Sequence, residues 1–165
     1  MVVLLVVLAA AMDAIRFDDL DAINALASDD FGEFGDQVEV TQAMIQGFAD
    51  LTGDQQWIHV DVARCEKESP FGGPIAHGFL TLSLLPSLVG GGPVRVTGQS
   101  AAVNYGAESL RFLSPVPSGS KVHARTRLVG AVAKSGGTLL TTEADVRVVD
   151  AEKPAILYRM QVLYR

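Results

Sequence analysis

The sequence predicts one α+β domain in which an antiparallel sheet packs around a buried helix. Three observations carry this expectation. Apolar residues recur at helical spacing in the first half, and at alternate positions from Val94 onward. Phe79 to Val89 is apolar nearly all the way round a helix, interrupted by Thr81, Ser83 and Ser87, so it reads as a helix surrounded by protein. A helix of that kind and strands with one apolar face each need the other's surface.

The elements follow in order. Asp18 to Leu26 has the spacing of a short helix, and the turn-rich Phe31-Gly32-Glu33-Phe34-Gly35-Asp36 leads into a short strand at Gln37 to Val40. Thr41 is an N-cap, Met44, Ile45, Phe48 and Ala49 form an apolar stripe, and Gly53 stands where a glycine stops a helix. Asp54 therefore falls just past a helix end. Asp61 caps a further helix, Val62 to Glu68, closed by Pro70, which leaves His59 on a tight connection between two helices. The strands expected are Val94 to Tyr105, Leu110 to Phe112, Lys121 to Val132, Thr138 to Val149 and Ala155 to Tyr164. The connection Gly90-Gly91-Gly92 lacks the Gly-Lys-Ser/Thr of a phosphate loop.

Composition narrows the function. With 165 residues, 48% hydrophobic and 19% charged, the chain is long enough for a core and too apolar for disorder. A net charge of −6 argues against a nucleic-acid partner. The single cysteine, Cys65, excludes an internal disulfide and a cysteine-rich metal site, in keeping with a cytoplasmic, reducing location. Met1 to Ala11 is wholly apolar but lacks a basic leader and is too short to span a membrane; Met12 before Asp13 reads as an alternative start. We divide the chain into an N-terminal extension with a short helix, 1–35, and a domain over 36–165.

Two motifs carry chemistry. Phe48-Ala49-Asp50-Leu51-Thr52-Gly53-Asp54-Gln55-Gln56-Trp57-Ile58-His59 supplies a carboxylate and an imidazole five residues apart, a spacing suited to an acid/base pair. Pro74-Ile75-Ala76-His77-Gly78-Phe79 opens the apolar segment, where helix-start amides point outward unpaired and Gly78 has no Cβ to hold a ligand away. Together they resemble the MaoC-like, (R)-specific enoyl-CoA hydratase family of hot-dog-fold proteins, over about residues 36–165. The resemblance implies a hot-dog domain, a dimer with the acyl thioester in a tunnel at its interface, Asp54 and His59 as catalytic pair, and Gly78 as oxyanion donor. Many members have Asn-Pro where this chain has Gln56-Trp57, so Trp57 is expected to reshape the tunnel.

The expected reaction is hydration of a trans-2-enoyl thioester, carried by coenzyme A or an acyl-carrier protein, or the reverse dehydration. It requires no metal and no redox cofactor. A thioesterase on the same fold and a non-catalytic acyl-binding subunit are the alternatives; the second has no chemical need for both Asp54 and His59. Taken singly, Asp54 could serve only its turn and His59 only the interior; the second motif favours catalysis. His77 is expected to orient its loop or cap backbone groups, Asn104 to line the tunnel, and Cys65 to be an ordinary half-buried thiol.

Lys121, His123, Arg125 and Arg127 share one strand face that could meet coenzyme A phosphates. A hairpin through Ser135-Gly136-Gly137 would set Glu143 and Asp145 opposite them, and this structural reading is preferred, as exposed pairs of about 0.2–1 kcal/mol each.

Overall fold

The computed structural model describes residues 14–90 and 92–165. The apolar run 1–11 and the alternative start at Met12 lie outside them. In chain order the elements are β1 (Ile15–Arg16), α1 (Leu20–Asn24), β2 (Val38–Glu39), α2 (Gln42–Thr52), α3 (Trp57–Val60), α4 (Val62–Glu68), α5 (Gly78–Ser83), α6 (Leu85–Leu88), β3 (Val96–Thr97), β4 (Ala102–Phe112), β5 (Lys121–Lys134), β6 (Gly137–Val148) and β7 (Ile156–Tyr164). An antiparallel sheet in the order β2-β5-β6-β7-β4 wraps the α5–α6 segment as a hot-dog domain, and β1 pairs with β3 in a separate parallel ribbon.

Local chemistry explains the helices that frame the site. The Thr41 hydroxyl accepts from the Met44 amide at 3.2 Å, and α2 ends at Gly53, whose φ of 78° no β-carbon opposes. Asp61 caps α4 by accepting from the Arg64 amide at 3.0 Å. The inward residues of the long hairpin, Val122 and Ala124 of β5 with Ala144 and Val146 of β6, pack on Ile45, Leu80, Leu85 and Leu88. A second cluster joins Ile23, Val94, Leu128, Ala131 and Leu140.

Three expectations need correction. The central helix is not one buried rod. Pro86 has no amide hydrogen and crowds the preceding turn, so the helix breaks at Leu84 into α5 and α6. It is also not enclosed: Leu80, Thr81, Leu85 and Leu88 face inward, whereas Phe79 is 61% exposed. Second, the strands expected at Val94 to Tyr105 and Leu110 to Phe112 are the short β3 and a continuous β4, which crosses Gly106 with a register shift that holds it to β7. Third, the Arg125–Asp145 and Arg127–Glu143 pairs form across the hairpin as expected, at 2.9 and 2.7 Å, but are not exposed. Residues 28–35 cross this face, with the Ser28, Gly32 and Gly35 amides donating to β5 carbonyls and Phe34 stacked on His123 at 3.8 Å. Asp145, 1% exposed, accepts from both Arg125 and Arg147.

Candidate active site

Asp54 and His59 come together although they share no helical face. The chain leaves α2 through Gly53 and re-enters a helix within a few residues, so α3 turns the His59 ring back under the loop that holds Asp54. His59 lies inside α3 itself and not on a bare connection. Its amide donates to the Gln56 carbonyl at 2.9 Å, its carbonyl accepts from Gln42 Nε2 at 2.7 Å, and its ring Nδ1 stands 2.7 Å from the Ile75 carbonyl. A carbonyl can only accept, so Nδ1 carries the hydrogen and, in the neutral ring, Nε2 carries the lone pair.

His77 approaches from the start of α5. Its Nε2 donates to the main-chain carbonyl of Asp54 at 2.9 Å, and its ring stacks on His59 with centroids 3.8 Å apart. An Asp54 carboxylate oxygen and one ring nitrogen from each histidine lie within 4.8 Å of one another. Among the described residues this is the group whose donors come close enough together to hold a small cation. Each histidine has already committed one nitrogen to a backbone carbonyl.

Two cavities meet at this cluster. Phe48, Thr52, Asp54, His59, His77, Gly78 and Phe79 line one of about 240 Å³. His59 and Gly78 also line the other, of about 300 Å³, whose further walls include Ile75, Thr81, Phe112, Val116 and Ile156. The chamber that holds the Asp54 and His77 side chains thus adjoins a mainly apolar one, and Gly78 stands at their junction. Gly78 is the first residue of α5, where an amide has no acceptor within the helix.

Burial is the main influence on His59, which is 7% exposed. Loss of solvent pushes its imidazole below the ordinary histidine value, the Ile75 carbonyl opposes this, His77 lowers it further, and Asp54 pulls it back up. The neutral ring, with a free lone pair, is the favoured state.

The MaoC like domain matches residues 29–151, a span that holds both motifs and the whole cluster. The chain belongs to the MaoC-like dehydratase family. The family is one of hydro-lyases. Among relatives of the MaoC-like chain, the 3-hydroxyacyl-thioester dehydratase Z of Mycobacterium tuberculosis is 42% identical over 149 residues, 90% of this chain and 97% of that one. Nodulation protein N of Rhizobium meliloti is 44% identical over 120 residues, 72% of this chain and 74% of that one. The solved structure of a monoamine oxidase regulatory protein from Archaeoglobus fulgidus superposes with a TM-score of 0.67 at 25% identity, over 92% of this chain and 95% of that one.

Other sequence expectations for the MaoC-like chain fall elsewhere. Asn104 lines a separate cavity of about 230 Å³ with Pro86, Thr142 and Val162, away from the Asp54–His59 cluster. Trp57 lines neither cavity at the cluster. Instead it carries the Arg64 guanidinium 4.2 Å above its ring, because the first turn of α3 faces α4. Cys65 is fully buried and donates to the Trp57 carbonyl at 3.3 Å, so the half-buried thiol expected from sequence is an interior one. Phe112 is the lining residue that sequence reasoning missed. Nothing local marks it; only the pairing of β4 with β7 brings it under α5.

Proposed function

We propose that this MaoC-like protein adds water to trans-2-enoyl-CoA to give (R)-3-hydroxyacyl-CoA, and catalyses the reverse dehydration. The observation that carries the reading is the convergence of the Asp54 carboxylate and the His59 imidazole on one cavity that Gly78 also lines. The name of the mycobacterial relative supports a 3-hydroxyacyl thioester as substrate. Both His59 Nε2 and the Asp54 carboxylate accept hydrogen bonds, so a water donating to the two directs its oxygen lone pair at C3. The thioester oxygen meets the Gly78 amide, and the apolar cavity takes the acyl chain. As the C3–O bond forms, the C2–C3 π electrons move toward the thioester and one water proton passes to the pair. That proton returns to C2, so no net proton is gained or lost. One well-placed amide donor contributes about 3–4 kcal/mol to such a step.

The second copy in this reading is another chain of the same sequence. β4 is the long edge strand of the sheet, opposite the two-residue β2, and its Val103, Tyr105 and Phe112 are exposed beside Leu113, an apolar margin suited to edge-to-edge pairing. Sedimentation is expected to show a homodimer; a stable active monomer contradicts it. A cytoplasmic location is part of the same reading. Among the described residues no helix is long and apolar enough to cross a membrane.

The test is hydration of crotonyl-CoA and longer enoyl-CoAs, followed by loss of the conjugated thioester absorbance, with chiral analysis of the product. Release of free coenzyme A without a hydroxyacyl product would replace the reading with thioester hydrolysis. Binding of an acyl-CoA without turnover would replace it with a passive subunit.

A further inference from the structure

We propose that His77 is a positioning residue for the reaction: its Nε2–H fixes the Asp54 main chain and its ring face fixes His59, setting the separation of the two reacting groups. The inference rests on the hydratase reading above and adds to it a third residue that acts through the other two.

Three observations lead there. The 2.9 Å bond from His77 Nε2 ends on the backbone of Asp54, not on its carboxylate, so it holds the residue in place without competing for the lone pairs that face the cavity. The 3.8 Å stack presses the same ring against His59, whose other side of attachment is the Ile75 carbonyl. His77 is 3% exposed, and its Nδ1 is buried with no hydrogen-bond partner among the described residues.

That last feature decides between roles. A buried acceptor without a partner is unfavourable by about 1–3 kcal/mol. If filling space were enough, a phenyl ring would stack on His59 and on Phe48, 5.1 Å away, without the orphan nitrogen. If holding the Asp54 carbonyl were enough, a glutamine amide would reach it from the same site. Imidazole alone offers a donor at the ring's tip and a flat face at once, and the unpartnered Nδ1 is the consequence of needing both. The placement also couples the two motifs. His77 is the N-cap residue of α5, so whatever seats the Gly78 amide seats the Asp54–His59 pair in the same frame.

Near-attack geometry is steep enough for this to matter, since a displacement of about 1 Å at a reacting group lowers the rate by about a hundredfold. The titratable groups facing His77 are Asp54, from the loop after α2, and His59, from α3; Phe48 of α2 adds no charge. Loss of the His77 ring therefore removes one of the influences that lower the His59 imidazole.

The experiment compares His77→Gln, His77→Phe and His77→Asn with wild type on crotonyl-CoA, and reads kcat, KM and the pH profile separately. Phe keeps the stack and removes the donor; Gln keeps the donor and removes the ring; Asn is too short to reach the Asp54 carbonyl. We expect kcat to fall by about 10- to 100-fold in the Phe and Asn variants with KM within about threefold, a smaller fall in the Gln variant, and an acid limb moved upward in all three. If the Phe variant does not fold, the Gln and Asn pair carries the comparison. Wild-type kcat in a folded Phe or Asn variant, or a Gln variant no better than Asn, overturns the proposal. Nitrogen NMR of the imidazoles gives a readout that needs no turnover: Nε2–H is expected on His77 and Nδ1–H on His59, and the opposite tautomer on His77 overturns it. Failure of the hydratase reading is distinguishable, because wild type itself then leaves enoyl-CoA unchanged.

Discussion

A β-carbon added at Gly78 would stand 2.7 Å from the ring of Phe112, closer than side-chain carbons approach in folded proteins. The space beside the glycine at the start of α5 is thus already taken by a side chain of β4. Replacement by valine does not report thioester approach alone, because the Phe112 ring must first move. Gly78→Ala is expected to lower stability by about 1–3 kcal/mol through overpacking. Phe112→Ala in the same chain should recover part of that loss, read as a coupling in a double-mutant cycle of urea midpoints. Additive effects would show that the ring yields freely, leaving any activity loss in Gly78→Ala to the ligand side.

Asp54→Asn and His59→Gln should each lower hydration by about a hundredfold or more in a folded protein, because each removes an acceptor for the attacking water, and Asp54→Asn should do so with an unchanged melting profile. Asp54 is exposed and makes no side-chain bond among those described, so its replacement leaves packing alone. His59→Gln tests more, since the Nδ1–H to Ile75 is lost too. Titration with a non-reactive acyl-CoA analogue separates the effects: Asp54→Asn should bind it as wild type does. Near-normal turnover in either variant would place the chemistry elsewhere.

Much of this site was legible in the sequence. The Thr41 cap, the Gly53 stop and the Asp61 cap are local signals, and they alone place Asp54 and His59 on either side of a short reversal. The outward charges of β5 and β6 are periodic, so their pairing could be anticipated as well. What could not be read depends on contacts distant in sequence. The burial of Asp145 comes from residues 28–35 lying over it, and the partial cover of Phe79 from the edge of the Phe112 ring of β4, 5.4 Å away. The two contacts of His77 require that Asp54 and His59 both be within reach, a tertiary fact with no periodicity behind it.

The pH dependence follows from the buried imidazole. Burial lowers the His59 value below that of an unfolded histidine, about 6.5, so the neutral base persists to lower pH than usual. The acid limb of kcat/KM is expected below the ordinary histidine range, measured across a pH series with buffers of constant ionic strength. Stability has the same sign. The contribution is present in full above the unfolded value and is lost as pH falls through the folded one, because the unfolded state takes up the proton first. His59→Gln should flatten that part of the stability profile. An acid limb at or above the ordinary value would mean that another group controls it.

Asp145 offers a test of the fold that leaves the Asp54–His59–His77 cluster untouched. Its carboxylate accepts from Arg125 Nε at 2.9 Å and from Arg147 at 2.8 Å, on the sheet face opposite the α5–α6 segment, beneath Phe34. Both guanidiniums are largely buried there, with side-chain exposures of 29% and 20%. Removing the acid leaves two cations facing each other with no ion-pair partner among the described residues, so Asp145→Ala is expected to cost about 3–5 kcal/mol. Asp145→Asn keeps the shape and some acceptors and should cost less. Replacing Arg125 by Met together with Asp145→Ala removes a charge of each sign and should recover much of the loss, since an apolar pair of similar volume often matches a buried ion pair. Thermal and urea unfolding measure all three. A loss below about 1 kcal/mol in Asp145→Ala, the range of an exposed pair, would show that residues 28–35 do not shield this face from water.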